Sequence, residues 1–587
     1  MKKKNYIVIL TIGILLSTIF IIIGTSSLAL NTSSNDPLIV ETEYGLVRGK
    51  EWDVNTYSWL GIPFAKPPIG ELRWKAPVDP DPWSGIMETV EFPEAPMQFA
   101  NWMGCVNEDD ILNHSLIGSE DCLYLNVWTP KSSDSSLPEG LPVYVYIFGG
   151  GNIVGQSNFP IYYGANLANR ANCVVVTMNY RVGIAGWHYN PALHVGNPLD
   201  DSGNYGLLDI FKSFEWVKTN IENFGGDSNT ITIAGESAGA MNAYASLTSP
   251  YLKQEFFDRG TELFHRAVME SGGILPRTIE EGIAASDNLL GTLLLSKGLA
   301  SNMTEAMEIV NSFGPAQKKQ WLLNEPMENF YNLFIAEDFF GLTNMMAVAP
   351  SLISDGYVCS SNPYAALIEG NYIKVPAIIG CNAEEAKVFM SWMLDEPLFT
   401  SVMFGHPHPE DLAYYLNSIR PWPVDLAPFL DWIIIGGYEL TAEVISIVIQ
   451  LVGVDIPATL MRMHQKDVFC YQFAWNQEPE PFDFLVGACH GSEIPFIFGN
   501  VGEEESFPFS SVLWSDQNIY GRKILSNSMI SYWSNFMRNG NPGDPDGYFK
   551  SYMGLPRWTA YTSLLDLGNK RIIFDATDYI RVINMAT

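Results

Sequence analysis

Positive charge is what this 587-residue chain has least of: 33 Lys and Arg stand against 65 Asp and Glu, a formal charge of −32. A phosphate backbone needs a basic footprint, so nucleic-acid binding is excluded as a function class. An anionic lipid surface is a poor partner for the same reason. Cysteine is scarce too. Seven cysteines cannot staple a chain of this length, and an odd number leaves at least one thiol unpaired. No low-complexity tract and no internal repeat is present, which removes solenoids and propellers. Disorder is excluded by what the chain does contain: 47% apolar and 13% aromatic residues, enough for a large core.

Long apolar runs are nearly absent as well, with one exception at the start. Lys2, Lys3 and Lys4 precede the uncharged stretch Tyr6–Ile23, 18 residues long. A basic start followed by an apolar run has the form of a secretory signal, and Ser27-Leu28-Ala29 offers small residues for cleavage. The same run is long enough for a spanning helix. Both readings stay open, so residues 1–29 are expected to be a signal peptide or an N-terminal membrane anchor. Either places the remainder outside the cytoplasm, secreted or extracellular. The Ser/Asn-rich residues 30–37 read as a short tether. Val444–Val454 is apolar but too short to span and reads as a core helix. Export would also open the sequons at Asn31, Asn113 and Asn302 to sugar, although nothing in the sequence says which are used.

Residues 38–587 show no linker and read as a single domain. Leu141–Phe148 is an unbroken apolar strand that ends in Gly149-Gly150-Gly151, and Cys173–Met178 is another. Ile210–Phe224 has helical spacing, with Phe211, Phe214, Val217 and Ile221 on one face. Gly225-Gly226 stop it before the strand Ile231–Ala234. Strands alternating with helices predict an α/β fold with a mostly parallel sheet. The mixed helical patterns over 280–345 and 395–450 are expected to be insertions lying over that sheet.

Gly235-Glu236-Ser237-Ala238-Gly239 follows the strand 231–234 directly and leads into a good helix former. Strand, tight turn, helix is the setting in which G-x-S-x-G lifts a serine hydroxyl above a sheet edge at a helix N-terminus. That hydroxyl needs a base. In hydrolases with this elbow the chain order is Ser, acid, His. His114, His188 and His194 precede Ser237, and His265 leaves no room for an acid between. Of the remaining His406, His408, His464 and His490, the last sits among small residues in a loop setting and fits best. Glu384 and Glu385 both follow the apolar strand Val375–Gly380, and the residues alone do not separate them from a solvated acidic pair. An oxyanion hole needs backbone N–H groups that approach without side chains in the way. Gly150, Gly151 and the amide of Ala238 supply three. The glycine triplet is no phosphate loop, since neither G-x-G-x-x-G nor G-K-[ST] follows. No metal or organic cofactor is called for.

Further motifs fall in one order along the chain: Gly61-Ile-Pro-Phe-Ala-Lys-Pro-Pro-Ile-Gly70, Ser119-Glu-Asp-Cys-Leu-Tyr-Leu-Asn-Val127, Phe148–Gly151, Asn179-Tyr-Arg-Val-Gly183, Gly203-Asn-Tyr-Gly-Leu-Leu-Asp209, Asn223-Phe-Gly-Gly-Asp227, Gly235–Gly239, Glu270-Ser-Gly-Gly273, Asn382–Glu385, His490–Phe498 and Tyr532–Gly540. In these the chain resembles the type-B carboxylesterases, which also include cholinesterases and catalytically inactive neuroligin-type adhesion proteins. The match spans residues from about 38 to 565.

The resemblance implies an α/β-hydrolase fold with long helical insertions and a small-molecule ester substrate. It implies Ser237 as nucleophile, Glu385 as acid, His490 as base, and Ser271 as a serine beside the triad. It further implies a Cys105–Cys122 disulfide and leaves Cys173, Cys359, Cys381, Cys470 and Cys489 as buried thiols, with a Cys381–Cys489 bridge as an alternative. Three departures limit what carries over. Asn152 replaces an aromatic after the glycine triplet, Ala386 replaces a glycine after the acid, and Leu112 stands where cholinesterases place a choline-binding tryptophan. The expectation is therefore a carboxylesterase, with a longer-chain lipase or a non-catalytic adhesion protein as the alternative, and choline esters are disfavoured.

Overall fold

The computed structural model describes residues 36–101, 107–113, 115–333, 352–392, 427–479, 482–502, 510–543, 555–562, 571–576 and 583–585. The N-terminal run, the tether up to residue 35, Cys105, His114, His406 and His408 lie outside them. Eleven strands form one sheet: β1 (Lys50–Glu51), β2 (Thr56–Pro63), β3 (Tyr124–Pro130), β4 (Leu141–Ile147), β5 (Val174–Met178), β6 (Gly226–Glu236), β7 (Arg266–Glu270), β8 (Ala377–Asn382), β9 (Val468–Phe473), β10 (Arg571–Phe574) and β11 (Ile583–Met585). Their order across the sheet is β11-β10-β9-β8-β7-β6-β4-β5-β3-β2-β1. From β10 through β5 every pairing is parallel, and the outer pairs are antiparallel.

The inner strands read as unbroken apolar runs because helices cover both faces of a parallel sheet. Accordingly β4 and β5 are buried at every position. The covering helices that matter for the site are α1 (Ala165–Ala171), α2 (Tyr205–Asn220), α3 (Ala238–Thr248), α4 (Ala386–Trp392), α5 (Ala427–Gln450) and α6 (Ile519–Asn539). The expected helix over 210–224 begins earlier, at Tyr205. Its last four residues tighten into a 3₁₀ turn that Gly225 ends in the left-handed region, φ 91°.

Helices fill the described parts of both expected insertions, while 334–345 and 395–426 lie outside the described residues. Ile279–Ser296, Met303–Ser312, Pro315–Asn324 and Met327–Asn332 build a second small core around Leu289, Leu293, Phe330 and Tyr331. One expectation fails. Val444–Val454 does not lie in the core as a whole: Val444, Ile447 and Val448 are each more than half exposed, although Ser446, Gly453 and Val454 are buried. Composition cannot say which face of an apolar helix turns outward. The helical stretch Tyr438–Arg462 contains an 18-residue window, 39% of it buried, that is long and apolar enough to cross a membrane by length and composition alone.

The expected disulfides are not formed among the described residues. Cys122, Cys173, Cys359, Cys381, Cys470 and Cys489 are all free and buried. The Cys381–Cys489 bridge is thereby corrected to two separate thiols, and Cys122 is free while Cys105 lies outside the described residues.

Candidate active site

β6 ends at Glu236, and the next residue, Ser237, takes φ 56°, ψ −121° before α3 begins at Ala238. A non-glycine residue at positive φ stores strain that its surroundings must hold. Two observations show how it is held. Ser237 N–H donates to Glu270 O on β7 at 2.8 Å. The flanking glycines also let strand and helix close up: a Cβ at Gly235 would stand 2.5 Å from the Gly239 carbonyl carbon, and one at Gly239 would stand 2.0 Å from Ile147 O. No other residue fits either position.

The acid comes from the turn after β8. Glu385, fully buried, accepts Asn382 N–H at 2.7 Å and the Ser271 hydroxyl at 2.5 Å on Oε1, while Oε2 lies 2.5 Å from His490 Nδ1. Ser271 sits at φ 55° with its N–H donating to Gly380 O at 2.8 Å, so its hydroxyl is aimed by the backbone. The neighbouring carboxylate turns elsewhere. Glu384 accepts Ala488 N–H at 2.9 Å and pairs with the buried Lys387 ammonium, which also reaches Glu439 on α5 at 3.1 Å. The structure thus separates two adjacent acids that the residues alone left equivalent.

His490 lies in the loop after β9, held between that acid and a second one. Its Nε2 is 3.0 Å from Glu236 Oε1, without hydrogen-bond geometry, and Phe389 of α4 packs a ring 5.0 Å from the imidazole. Ser237 Oγ makes no hydrogen bond among the described residues, so the serine–imidazole bond is not formed in this state. Glu236, Glu270 and Glu493 are all buried around this point, and the β6/β7 register sets Glu236 directly beside Glu270. Sequence reasoning missed this cluster. The available signal was position, since Glu236 is the variable residue of the elbow and Glu493 falls three residues after His490.

Burial raises all three carboxyls above the ordinary range; repulsion from Glu493 adds to it at Glu236 and Glu270, and repulsion from Glu385 adds to it at Glu493. For His490 burial works downward, but the carboxylates of Glu236 and Glu385 outweigh it and hold the imidazole above its usual value.

Three donors complete the arrangement. The Gly149–Gly151 turn follows β4, and a Cβ at Gly149 would lie 3.0 Å from Ser237 Cβ, so this turn passes directly over the serine. The N–H groups of Gly150, Gly151 and Ala238 donate to no acceptor among the described residues. A serine at a helix N-terminus, an imidazole oriented by a buried carboxylate and a turn with free N–H groups can support attack on a carbonyl carbon. Among the described residues no group of His, Cys, Asp and Glu is arranged to hold a metal ion.

A family model described as the carboxylesterase family matches residues 36–418 and 437–571. The chain is 30% identical to a fumonisin B1 esterase of Sphingopyxis macrogoltabida, over 89% of this chain and 85% of that protein. It is 31% identical to a medium-chain fatty acyl-CoA hydrolase precursor of Anas platyrhynchos, over 94% and 91%. Among solved structures, a carboxylesterase of Geobacillus stearothermophilus superposes with a TM-score of 0.64 at 26% identity, covering 92% of this chain and 96% of that one.

Proposed function

The chain belongs to the carboxylesterase family and is a carboxylic ester hydrolase of α/β-hydrolase fold, and on that premise we propose that Ser237, His490 and Glu385 form its catalytic triad. Ser237 attacks the ester carbonyl while His490 Nε2 takes the hydroxyl proton. The Gly150, Gly151 and Ala238 amides hold the oxyanion, and His490 returns the proton to the leaving alcohol. Water then repeats the sequence on the acyl-enzyme. Glu385 fixes the imidazole tautomer and stabilises the imidazolium. The observation that carries this reading is the chain of short bonds from Ser271 through Glu385 to His490 Nδ1. Neither the lipase nor the adhesion alternative is favoured.

A fluorophosphonate tests the nucleophile: its phosphorus should bond to Ser237 Oγ with loss of fluoride, seen as one labelled peptide, and Ser237→Ala should abolish label and turnover together. Equal labelling of both proteins would remove Ser237 from the mechanism.

The pH profile carries a second expectation. The base works only unprotonated, so kcat/KM falls as pH drops through the His490 pKa. Glu236 is one of the two carboxylates that hold that pKa up. Glu236→Gln should therefore move the acid limb of kcat/KM to lower pH by about a unit, the scale of one close charge. A limb left in place would show that Glu236 stays uncharged throughout.

Export is a separate proposal, supported by Lys2–Lys4 and the Tyr6–Ile23 run. Both Asn113 and Asn302 are exposed and open to sugar in an exported chain. The mature N-terminus, read by mass, decides between cleavage and anchoring.

A further inference from the structure

The residue after the glycine triplet departs from the pattern the sequence resembles, and its surroundings give the departure a purpose. Asn152 is buried at 1% exposure and sits at φ 60°. That left-handed conformation costs most side chains roughly 1–2 kcal/mol, and asparagine is among the few that adopt it readily. Its carboxamide does not face solvent. It meets the carboxamide of Asn242 on α3: Asn242 Nδ2 donates to Asn152 Oδ1 at 2.8 Å, and Asn152 Nδ2 donates back to Asn242 Oδ1 at 3.3 Å. Asn242 is fully buried. The Tyr180 hydroxyl lies 3.3 Å from the same Oδ1 and donates to Phe148 O, just before the triplet, at 2.8 Å. The Asn152 carbonyl accepts Gly183 N–H at 2.7 Å.

This pair joins two separate parts of the site. One side belongs to the turn that carries the Gly150 and Gly151 amides, the other to the helix that starts with the Ala238 amide and follows Ser237. Oxyanion donors act only when placed about 3 Å from the developing charge, and displacement of about 1 Å can cost about 10²-fold. Glycines alone leave such a turn free to move. Gly150 O accepts Ile153 N–H and Val154 N–H within the turn, and the two reciprocal hydrogen bonds between buried carboxamides add the link from the turn to the nucleophile helix.

We infer that Asn152, acting through Asn242, is a positioning residue that fixes the distance between the glycine turn and the nucleophile helix, and so sets the oxyanion hole. The inference rests on the triad reading above. Asn152→Gly tests it, because glycine accepts the same left-handed backbone and removes the side chain with its carboxamide; Asn242→Ala, which leaves the turn's backbone unaltered, separates loss of the bond from added freedom of the turn. The variant should lose about tenfold in kcat, a fraction of a full donor deletion, with KM within about twofold. The readout specific to the oxyanion is a trifluoromethyl ketone. Ser237 Oγ adds to its carbonyl carbon, the proton passes to His490 and the resulting oxyanion takes the amides. Its inhibition constant should rise by the same factor as kcat/KM falls. Asn242→Ala should reproduce both effects and carries the test if Asn152→Gly does not fold. The double variant should be no worse than the worse single one, since both remove one link.

Unchanged inhibitor affinity in the singles, or losses that multiply in the double, would overturn the role of Asn152. Failure of the triad reading is distinguishable, because then the wild-type protein would not carry fluorophosphonate on Ser237.

Discussion

Glu385→Gln is expected to lower kcat by about 10⁴-fold, the scale seen when a triad acid is neutralised with its shape kept. The size follows from the bonds around the carboxylate. Oε1 accepts from Asn382 N–H and from Ser271 Oγ, and Oε2 faces His490 Nδ1. A glutamine has one acceptor and one donor end. With its NH₂ toward His490, Nδ1 must become the acceptor, the proton moves to Nε2, and the base is lost. With its NH₂ toward Asn382, two N–H groups oppose each other inside a fully buried site. Both orientations are costly, and the imidazolium loses its counter-charge in either. Steady-state kcat on a p-nitrophenyl ester and the rate of fluorophosphonate labelling should fall together. A loss under about tenfold in both would mean that another acid orients His490.

The largest expected loss of stability comes from Asp209→Ala, about 3–5 kcal/mol, because it strands a buried cation. Arg181 follows β5 and is 2% exposed; Asp209 on α2 is fully buried. The contact is bidentate: Nε to Oδ2 at 2.8 Å and Nη2 to Oδ1 at 2.7 Å, with Arg181 N–H adding a third bond to Oδ2 at 3.0 Å. Burial pulls the guanidinium pKa down and Asp209 more than restores it, so the arginine keeps its charge and its need for a partner. Urea unfolding followed by tryptophan fluorescence should show the midpoint falling steeply. The double change Arg181→Met with Asp209→Leu should cost less than Asp209→Ala alone, because it removes both charges. Equal stability of wild type and Asp209→Ala would mean that the pair is solvated.

The elbow was legible in the sequence because its chemistry is local. Gly235 and Gly239 are required by contacts within a few residues and one strand, so pattern and flanks suffice. The glycine turn after β4, which the structure places against Ser237, was legible for the same reason. The choice between Glu384 and Glu385 was not, since both follow β8 and only the loop after β9 decides which one meets His490. From the residues alone His490 ranked first among several histidines on its loop setting, and the family resemblance settled the choice. The cluster of Glu236, Glu270 and Glu493 was illegible because it assembles from the ends of two strands and the segment after His490, far apart in the chain. The helix at 444–454 was misread on orientation, since apolar composition carries no direction. The Asn152–Asn242 pair combines an unusual backbone angle with a contact 90 residues away, and only the departure at Asn152 was visible beforehand.

The six buried thiols have a consequence for where this protein can work. Burial pushes every one of them above the ordinary thiol range, so none is a thiolate at neutral pH. Disulfide exchange needs a thiolate and access to it, and the fold withholds both. These six cysteines are therefore indifferent to the redox poise around them: among the described residues an oxidising medium finds no accessible thiol to couple, and a reducing one finds no disulfide to cut. Their vulnerable moment is before folding is complete, when those same cysteines are exposed and can pair wrongly.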